Sequence, residues 1–252
     1  MKRIALVIVF VIALVFGLCS GIPLSYAMRN GGLVQQGIGW QQARGTIWDG
    51  QVTGLSYRGK QAGAVDIKSS PLSLFRGAVT SDMNWIGQTG RARVHMVTSL
   101  SSVELSGLGA DIDISRLDGI HNELRRIGGA LKISNAMLRF DHAGRCIQAR
   151  GTAQLDLVRR LGGQYGRDWP MLSGTPACVD DAIQLPLTGD GPNGEHFELT
   201  LRTLPDGRTG MDVHIEGLDA QATAALATVG FTKSGNGYTL RQEAALAEEK
   251  KQ

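Results

Sequence analysis

The sequence predicts a mainly β protein, in which one N-terminal transmembrane helix precedes an antiparallel, curved, β-rich domain with one or two minor helices. Three observations lead to this prediction. Residues 4–22 form an apolar run without a charged side chain. The 34 glycines are spread between short alternating segments, which is typical of many turns and short strands. Helical spacing of apolar residues is rare and is clearest from Leu117 to Ile127.

The apolar run Ile4–Ile22 is long enough to cross a bilayer. At about 1.5 Å per residue it spans roughly 28 Å, close to a hydrocarbon core of about 30 Å. Lys2 and Arg3 precede the run, so the positive-inside rule keeps the N-terminus in the cytoplasm and exports the rest of the chain. A secretory signal usually has a shorter apolar stretch, although Ser25-Tyr26-Ala27 fits a signal-peptidase site. Cleavage after Ala27 is therefore the alternative to a permanent anchor.

These features divide the chain into five segments. The exported part is long enough for one domain of generous size or for two small ones. The segments are a cytoplasmic N-terminus at residues 1–3, the transmembrane anchor at 4–22, a juxtamembrane linker at 23–39, the β-rich domain at 40–241, and a charged tail at 242–252.

Alternation of apolar and polar residues predicts the individual strands. The clearest strand runs from Ile147 to Leu157, where every second residue is apolar or small. Val103–Leu105 and Ala110–Ile114 are expected to pair with each other across Gly107-Leu108-Gly109. Later in the chain, three alternating segments separated by turn dipeptides predict a meander. These segments are Ile183–Leu187, Phe197–Leu201 and Met211–Ile215.

The three cysteines differ in their predicted compartments. Cys19 lies inside the anchor, whereas Cys146 and Cys178 lie in the exported part. An exported pair is most simply interpreted as a disulfide. It would close a loop of about 32 residues and stabilise the fold by about 3–4 kcal/mol. A zinc site would need more ligands at closer spacing, and the sequence has no CxxC motif.

Composition and motifs argue against several functional classes. The net charge is +3 and no basic block stands out, which argues against a nucleic-acid partner. Asp111 and Asp113 alternate with apolar residues, so the solvated face of a strand explains them. The sequence has no GxSxG elbow and no phosphate-binding loop, and it predicts no catalytic, cofactor-binding or metal-binding residue. The histidines also lack metal-binding spacing; they are His95, His121, His142, His196 and His214.

A short block around Trp48 is the most distinctive local motif. The dipeptide Asp49-Gly50 predicts a hairpin turn, and we interpret Trp48, directly before it, as a core side chain that covers the end of a sheet. The block resembles the Gly-x-[hydrophobic]-Trp-x-Gly signature of the type II secretion system protein N family. The residues that carry the resemblance are the short N-terminal anchor, the block Gly45, Thr46, Ile47, Trp48, Asp49 and Gly50, the stretch Ser70–Gly77, the Cys146 and Cys178 pair, and Leu226–Phe231.

The resemblance implies a non-enzymatic accessory subunit of the bacterial general secretory pathway. It places the protein in the Gram-negative inner membrane as a single-pass protein, with its bulk in the periplasm and other secretion-machine subunits as partners. The sequence leaves a second function open, a periplasmic lipid-binding or bridge-type transport protein with a curved β-sheet groove. An exported enzyme is a third, less favoured, class. A packed core favours the first function and a solvent-open apolar groove favours the second.

Overall fold

The computed structural model describes residues 21–35, 37–116, 122–203, 209–223 and 230–244. Within these ranges the chain is built mainly of antiparallel strands with few helices, which confirms the mainly β, antiparallel part of the predicted fold class. The chain divides into two compact units, Met1–Leu100 and Ser101–Gln252. We call them unit 1 and unit 2 and describe each by itself.

Unit 1 contains an antiparallel sheet with the neighbour order β1-β3-β4-β5-β6, and β2 also pairs with β3. A short 3-10 segment, Pro71–Arg76, connects β4 to β5. The elements of unit 1 are helix α1 (Leu24–Asn30) and strands β1 (Ile38–Gly39), β2 (Gln42–Gly45), β3 (Asp49–Tyr57), β4 (Lys60–Ser70), β5 (Ala78–Gly87) and β6 (Gly90–Ser99).

The small core of unit 1 lies between α1 and β3. Leu24 and Met28 of the helix pack with Val52 of the strand, and all three are buried. This cluster corrects the predicted linker at residues 23–39, because that segment contributes α1, β1 and two core side chains. The sequence analysis missed the helix because the segment is short and only a few of its apolar residues have helical spacing.

Unit 2 contains a longer antiparallel sheet with the neighbour order β7-β8-β9-β10-β12-β13-β14-β16-β15, and β11 also pairs with β12. A 3-10 segment, Ile114–Arg116, follows β7. The remaining elements are strands β7 (Ser102–Asp113), β8 (Ala130–Asp141), β9 (Cys146–Leu155), β10 (Leu172–Gly174), β11 (Ala177–Val179), β12 (Ala182–Asp190), β13 (His196–Thr203), β14 (Thr209–Glu216), β15 (Thr232–Ser234) and β16 (Gly237–Ala244), with helices α2 (Asn122–Ile127) and α3 (Leu157–Gln164).

A larger hydrophobic core fills unit 2. Trp169 packs against Phe197 with 5.2 Å between the ring centroids, and helix α3 adds Leu157 and Leu161 at the margin. Burial of this much apolar surface is the main stabilising contribution expected for the unit. The buried members of the cluster are Ile114, Ala153, Leu155, Trp169, Leu172, Leu187, Phe197, Leu199 and Ile215.

The hairpin predicted across Gly107-Leu108-Gly109 is instead a bulge within the long strand β7. The segments Val103–Leu105 and Ala110–Ile114 do not pair with each other, because β7 continues through Gly107 and pairs along its length with β8. The register shifts around Gly107, whose φ of 58° is easily adopted only by glycine. The glycines that resemble a turn in the sequence therefore form a bulge in a continuous strand.

The strand predicted from Ile147 to Leu157 is present but differs at both ends. It ends at Leu155, and Leu157 begins α3. Ile147 is 53% exposed, because a register shift against β8 follows Cys146 and changes the face on which Ile147 lies. Its second half has the predicted alternation, with Ala153 and Leu155 buried. The predicted meander is confirmed as β12, β13 and β14.

Two predicted helices, the N-terminal anchor and the helix from Leu117 to Ile127, lie partly outside the described residues. Of the helix predicted from Leu117 to Ile127, the structure describes α2, which begins at Asn122. Of the predicted anchor at 4–22, the structure describes Gly21 and Ile22 alone. Among the helices in the described ranges, none has the length and apolar character needed to cross a membrane.

Candidate functional site

The Gly45–Gly50 block forms a tight turn between β2 and β3. The Thr46 N–H donates to the Asp49 carbonyl at 2.9 Å, and the Thr46 Oγ1 accepts the N–H groups of Trp48 and Asp49 at 3.3 and 3.2 Å. The predicted position of the turn is therefore wrong by about one dipeptide. Asp49 and Gly50 begin β3 instead of forming the turn, because the Thr46 side chain bonds the backbone and closes the turn earlier.

Both glycines of the block are explained by close packing. Gly45 has a φ of 80°, and a Cβ there would lie 2.3 Å from the Asp49 carbonyl oxygen. A Cβ on Gly50 would lie 2.6 Å from the Leu24 side chain of α1. These contacts leave no space for a larger residue, so the glycines have a structural role at this corner.

Trp48 is half-buried and belongs to neither buried cluster. Its carbonyl accepts the Ser69 N–H at 2.6 Å, which joins the turn to the end of β4. The interpretation of Trp48 as a core side chain is thus too strong, although the residue does lie at an end of the sheet. The fully packed tryptophan is Trp169, which lies outside any regular element and which hydrophobic periodicity did not identify.

The 3-10 segment Pro71–Arg76 presents apolar side chains to solvent. Leu72, Leu74 and Phe75 are 67%, 48% and 70% exposed, which is unusual for three large apolar residues so close in sequence. Between them, Ser73 is buried and fixes the segment, because its Oγ donates to the Ser70 carbonyl and accepts the Thr80 N–H. The segment is therefore an ordered apolar protrusion.

Leu100 adds a fourth apolar side chain at the same end of the unit 1 sheet. It directly follows β6, whose last residue Ser99 pairs with Ala78 at the start of β5. Leu100 is 92% exposed. We call Leu72, Leu74, Phe75 and Leu100 the apolar end of unit 1. In the sequence, the Ser70–Gly77 stretch is distinctive only as part of the family resemblance.

The first described residues of the chain reach this same end of the sheet. The Ile22 carbonyl accepts the Ile47 N–H at 3.2 Å, and Pro23 forms a β-bridge with Thr46. The turn that they contact is joined through Trp48 to Ser69, two residues before the 3-10 segment begins. Ile22 and Pro23 therefore lie close to the apolar end.

Cys146 and Cys178 form a disulfide in unit 2, with 5.5 Å between their Cα atoms. It joins the start of β9 to β11, and the Cys146 N–H donates to the Asp181 carbonyl in the adjoining turn at 2.9 Å. The short strand β11 has only three residue pairs with β12. The covalent bond therefore holds a segment for which the hydrogen-bond ladder is brief.

Ionisable side chains in the described ranges occur mainly in local surface pairs. His95 lies 2.7 Å from Asp82 across β5 and β6, and His196 lies 2.6 Å from Asp190 across β12 and β13. The hydrogen bond that the His196 imidazole donates to the Asp190 carboxylate raises the pKa of His196. Within these ranges no group of three or more metal-ligating side chains comes together, and His121 lies outside them.

The predicted surface role of Asp111 and Asp113 agrees with their geometry. Asp111 is exposed, and Asp113 accepts hydrogen bonds from the Ser115 hydroxyl and backbone N–H at 2.6 and 3.0 Å. The Ser115 hydroxyl is the main reason that the pKa of Asp113 lies below its usual value. A carboxylate held in its ionised form in this way caps a turn and is a poor proton donor near neutral pH.

Two carboxylates in the described ranges are buried, Asp156 directly before α3 and Glu195 in the turn between β12 and β13. Glu195 is the more deeply buried of the two. It accepts the Asn193 N–H at 2.9 Å and the Trp169 Nε1–H at 3.3 Å. Burial raises its pKa, but the hydrogen bonds outweigh burial, so the pKa lies below its usual value. Glu195 therefore joins the Trp169 segment to the sheet, a role that sequence analysis missed. The Asn193-Gly194 turn dipeptide was the only signal near it.

A shallow cleft lies at the opposite end of unit 1 from the apolar end. Its volume is about 380 Å³, and glycines, Gln61, Gln88, Ala64 and Ile86 line it. None of its lining residues titrates near neutral pH. The cleft therefore offers no group for acid–base catalysis, and its open, glycine-rich wall lacks the convergent polar groups of a specific small-molecule site.

Comparison with known families identifies the group to which the chain belongs. The family model described as type II secretion system (T2SS), protein N, matches residues 36–241. The chain belongs to this family. The matched range includes the Gly45–Gly50 turn, the 3-10 segment and both cysteines of the disulfide. Neither the search of curated proteins nor that of solved structures found a match.

Membership of the protein N family makes the chain a subunit of a secretion system that is associated with the cell envelope. Other subunits of the secretion machine are therefore its expected partners. Among the surfaces described above, the apolar end of unit 1 is the one with the character of a contact surface, because its exposed side chains are large and apolar and its backbone is ordered.

Proposed function

We propose that the protein is a non-enzymatic subunit of the type II secretion system, anchored in the inner membrane by residues 4–22. In this proposal residues 1–3 are cytoplasmic and residues 40–241 are periplasmic. The family match over residues 36–241 is the observation that carries the proposal. The charge-free apolar run supports the anchor, and the Cys146–Cys178 disulfide fits an oxidising compartment.

Strand addition at the edge of unit 2 is the contact by which we propose that the protein binds other subunits. Strand β15 pairs with Gly237–Thr239 of β16, whereas β14 pairs with the whole of β16 from Gly237 to Ala244. Within the described residues, the β15–β16 ladder ends at Thr239, whereas the β14–β16 ladder continues to Ala244. An extended segment of another subunit can add to such an edge through main-chain hydrogen bonds.

A second candidate function is binding of a lipid or another hydrophobic molecule. The register of unit 1 places Val65, Met83, Trp85 and Val94 on one face of β4, β5 and β6. These side chains are half-buried, and no apolar residue of the three strands is fully buried. An apolar sheet face with this exposure favours a hydrophobic ligand more than the packed core of unit 2 does.

Affinity purification of the full-length chain from crosslinked cell envelopes distinguishes the two functions. Recovery of other secretion-machine subunits is expected if the protein is an assembly subunit. Recovery of phospholipid or lipopolysaccharide without a protein partner would reject that function in favour of lipid binding.

A further inference from the structure

We propose that the apolar end of unit 1 lies against the periplasmic leaflet of the inner membrane, with Leu72, Leu74, Phe75 and Leu100 in the acyl-chain boundary. This inference rests on the proposed anchor at residues 4–22. It adds a second, peripheral membrane contact that fixes how unit 1 stands on the bilayer.

The position at which the chain enters the fold is the first argument. The apolar run ends at Ile22, and the Ile22 carbonyl is bonded to the Ile47 N–H at 3.2 Å. Pro23 already belongs to a β-bridge with Thr46. A helix over residues 4–22 would therefore lead into the sheet without a flexible connection, and this end of unit 1 must remain close to the membrane surface.

Strand spacing sets the distances along this end of the sheet. Neighbouring strands lie about 4.8 Å apart, so the 3-10 segment after β4 lies roughly 10 Å from the Pro23 bridge. Leu100, after β6, lies roughly 20 Å from it by the same spacing. The register gives this arrangement, because β3 begins, β4 ends, β5 begins and β6 ends at the same end of the unit 1 sheet. All four side chains are thus within reach of a bilayer that begins at Ile22.

The chemistry of the apolar end fits a lipid surface. Leucine and phenylalanine side chains gain free energy at the boundary between headgroups and acyl chains, and a neighbouring cation favours anionic headgroups. Arg76, in the same 3-10 segment, is exposed. Ser73 and Gly77 hold the segment in place, so its apolar side chains are presented without an ordering cost on contact.

Photocrosslinking in the full-length chain tests this contact. Photoreactive p-benzoylphenylalanine replaces Leu72 in one variant and Ile86 in the control, and adducts are identified by mass spectrometry after irradiation of native membranes. Leu72 and Ile86 are 67% and 64% exposed, and Ile86 lies near the far end of β5, roughly 27 Å from its start at about 3.4 Å per residue. We expect a phospholipid adduct at position 72 and none at position 86.

Two further measurements make the result decisive. Carbonate extraction is done first: a chain that is extracted from membranes contradicts the anchor and this inference together. A chain that stays in the membrane but gives a protein adduct at position 72, or equal lipid adducts at 72 and 86, overturns this inference alone. Adding Leu74→Ser and Phe75→Ser to the position 72 probe should abolish most of the lipid adduct, and an unchanged yield would also overturn it.

Discussion

The two units share one sheet pattern but differ in what covers the apolar face. In unit 2, helix α3 and the Trp169 segment lie on a core with nine buried side chains in one cluster. In unit 1, α1 covers only the region around Val52, and the cluster has three buried members. Alternation along a strand therefore decides which side chains share a face, whereas a second layer decides whether that face becomes a core.

The two units therefore differ in which features they contain: those that stabilise the fold or those that are available for contacts. Unit 2 has the disulfide, the buried Glu195 and the tryptophan–phenylalanine pair, all of which hold structure together. Unit 1 has the contact of Ile22 and Pro23 with the Gly45–Gly50 turn, the half-buried sheet face and the exposed apolar end. We infer that unit 2 supplies most of the folding free energy and that unit 1 supplies contact surfaces.

The largest expected effect on stability is that of replacing Trp169, compared with the same replacement of Trp48. Trp169→Ala should lower the free energy of unfolding by about 3–5 kcal/mol, because a buried ring packed on Phe197 is removed. Trp48→Ala should cost clearly less, because that ring is half-buried. Urea denaturation followed by circular dichroism measures both, and equal losses would contradict the assignment of the main core to unit 2.

The disulfide gives the next largest effect. Replacing Cys146 and Cys178 together by alanine should lower stability by about 3–4 kcal/mol through the closed loop of 32 residues. Hydrogen exchange should rise in β9, β11 and β12 and stay unchanged in unit 1. Both thiols should also resist labelling in the native protein until a reductant is added, and ready labelling would contradict the disulfide.

Acid should weaken unit 2 through Glu195. Its pKa is lowered in the folded protein, so its stabilising contribution is present above the unfolded pKa of about 4.3 and is lost as the pH falls through the folded pKa. Glu195→Gln should cost about 1.5–3 kcal/mol at pH 7. It should also flatten the acid limb of stability against pH, and a variant with an unchanged acid limb would show that other carboxylates produce it.

The smallest effect should be local to unit 1. Ser73→Ala removes the acceptor of the Thr80 N–H and should cost about 1 kcal/mol. Faster amide exchange in residues 71–77, with unit 2 unaffected, is the expected readout. Ser70→Ala provides the control, because the bond from Ser73 goes to the Ser70 carbonyl and survives that substitution.

Sequence patterns predicted features whose causes are local. The meander of β12, β13 and β14 has clean alternation and turn dipeptides, and the structure confirms it. Patterns failed where two local explanations compete. Gly107 fits a hairpin turn and a bulge equally well, because both need a positive φ, and only pairing with β8 distinguishes them. The turn predicted at Asp49-Gly50 was wrong because the Thr46 side chain closes a different turn.

By itself, the sequence determined the β-rich class, the segment with anchor character, the cysteine pair and the family resemblance, because composition, length and short motifs are properties of the chain alone. Only the tertiary structure decided that Trp169 lies in the core while Trp48 is half-buried, and that the 3-10 segment and Pro23 lie at the same end of unit 1. The burial of a side chain depends on which residues, distant in sequence, pack over its face of the sheet. It therefore cannot be read from the sequence of the strand alone.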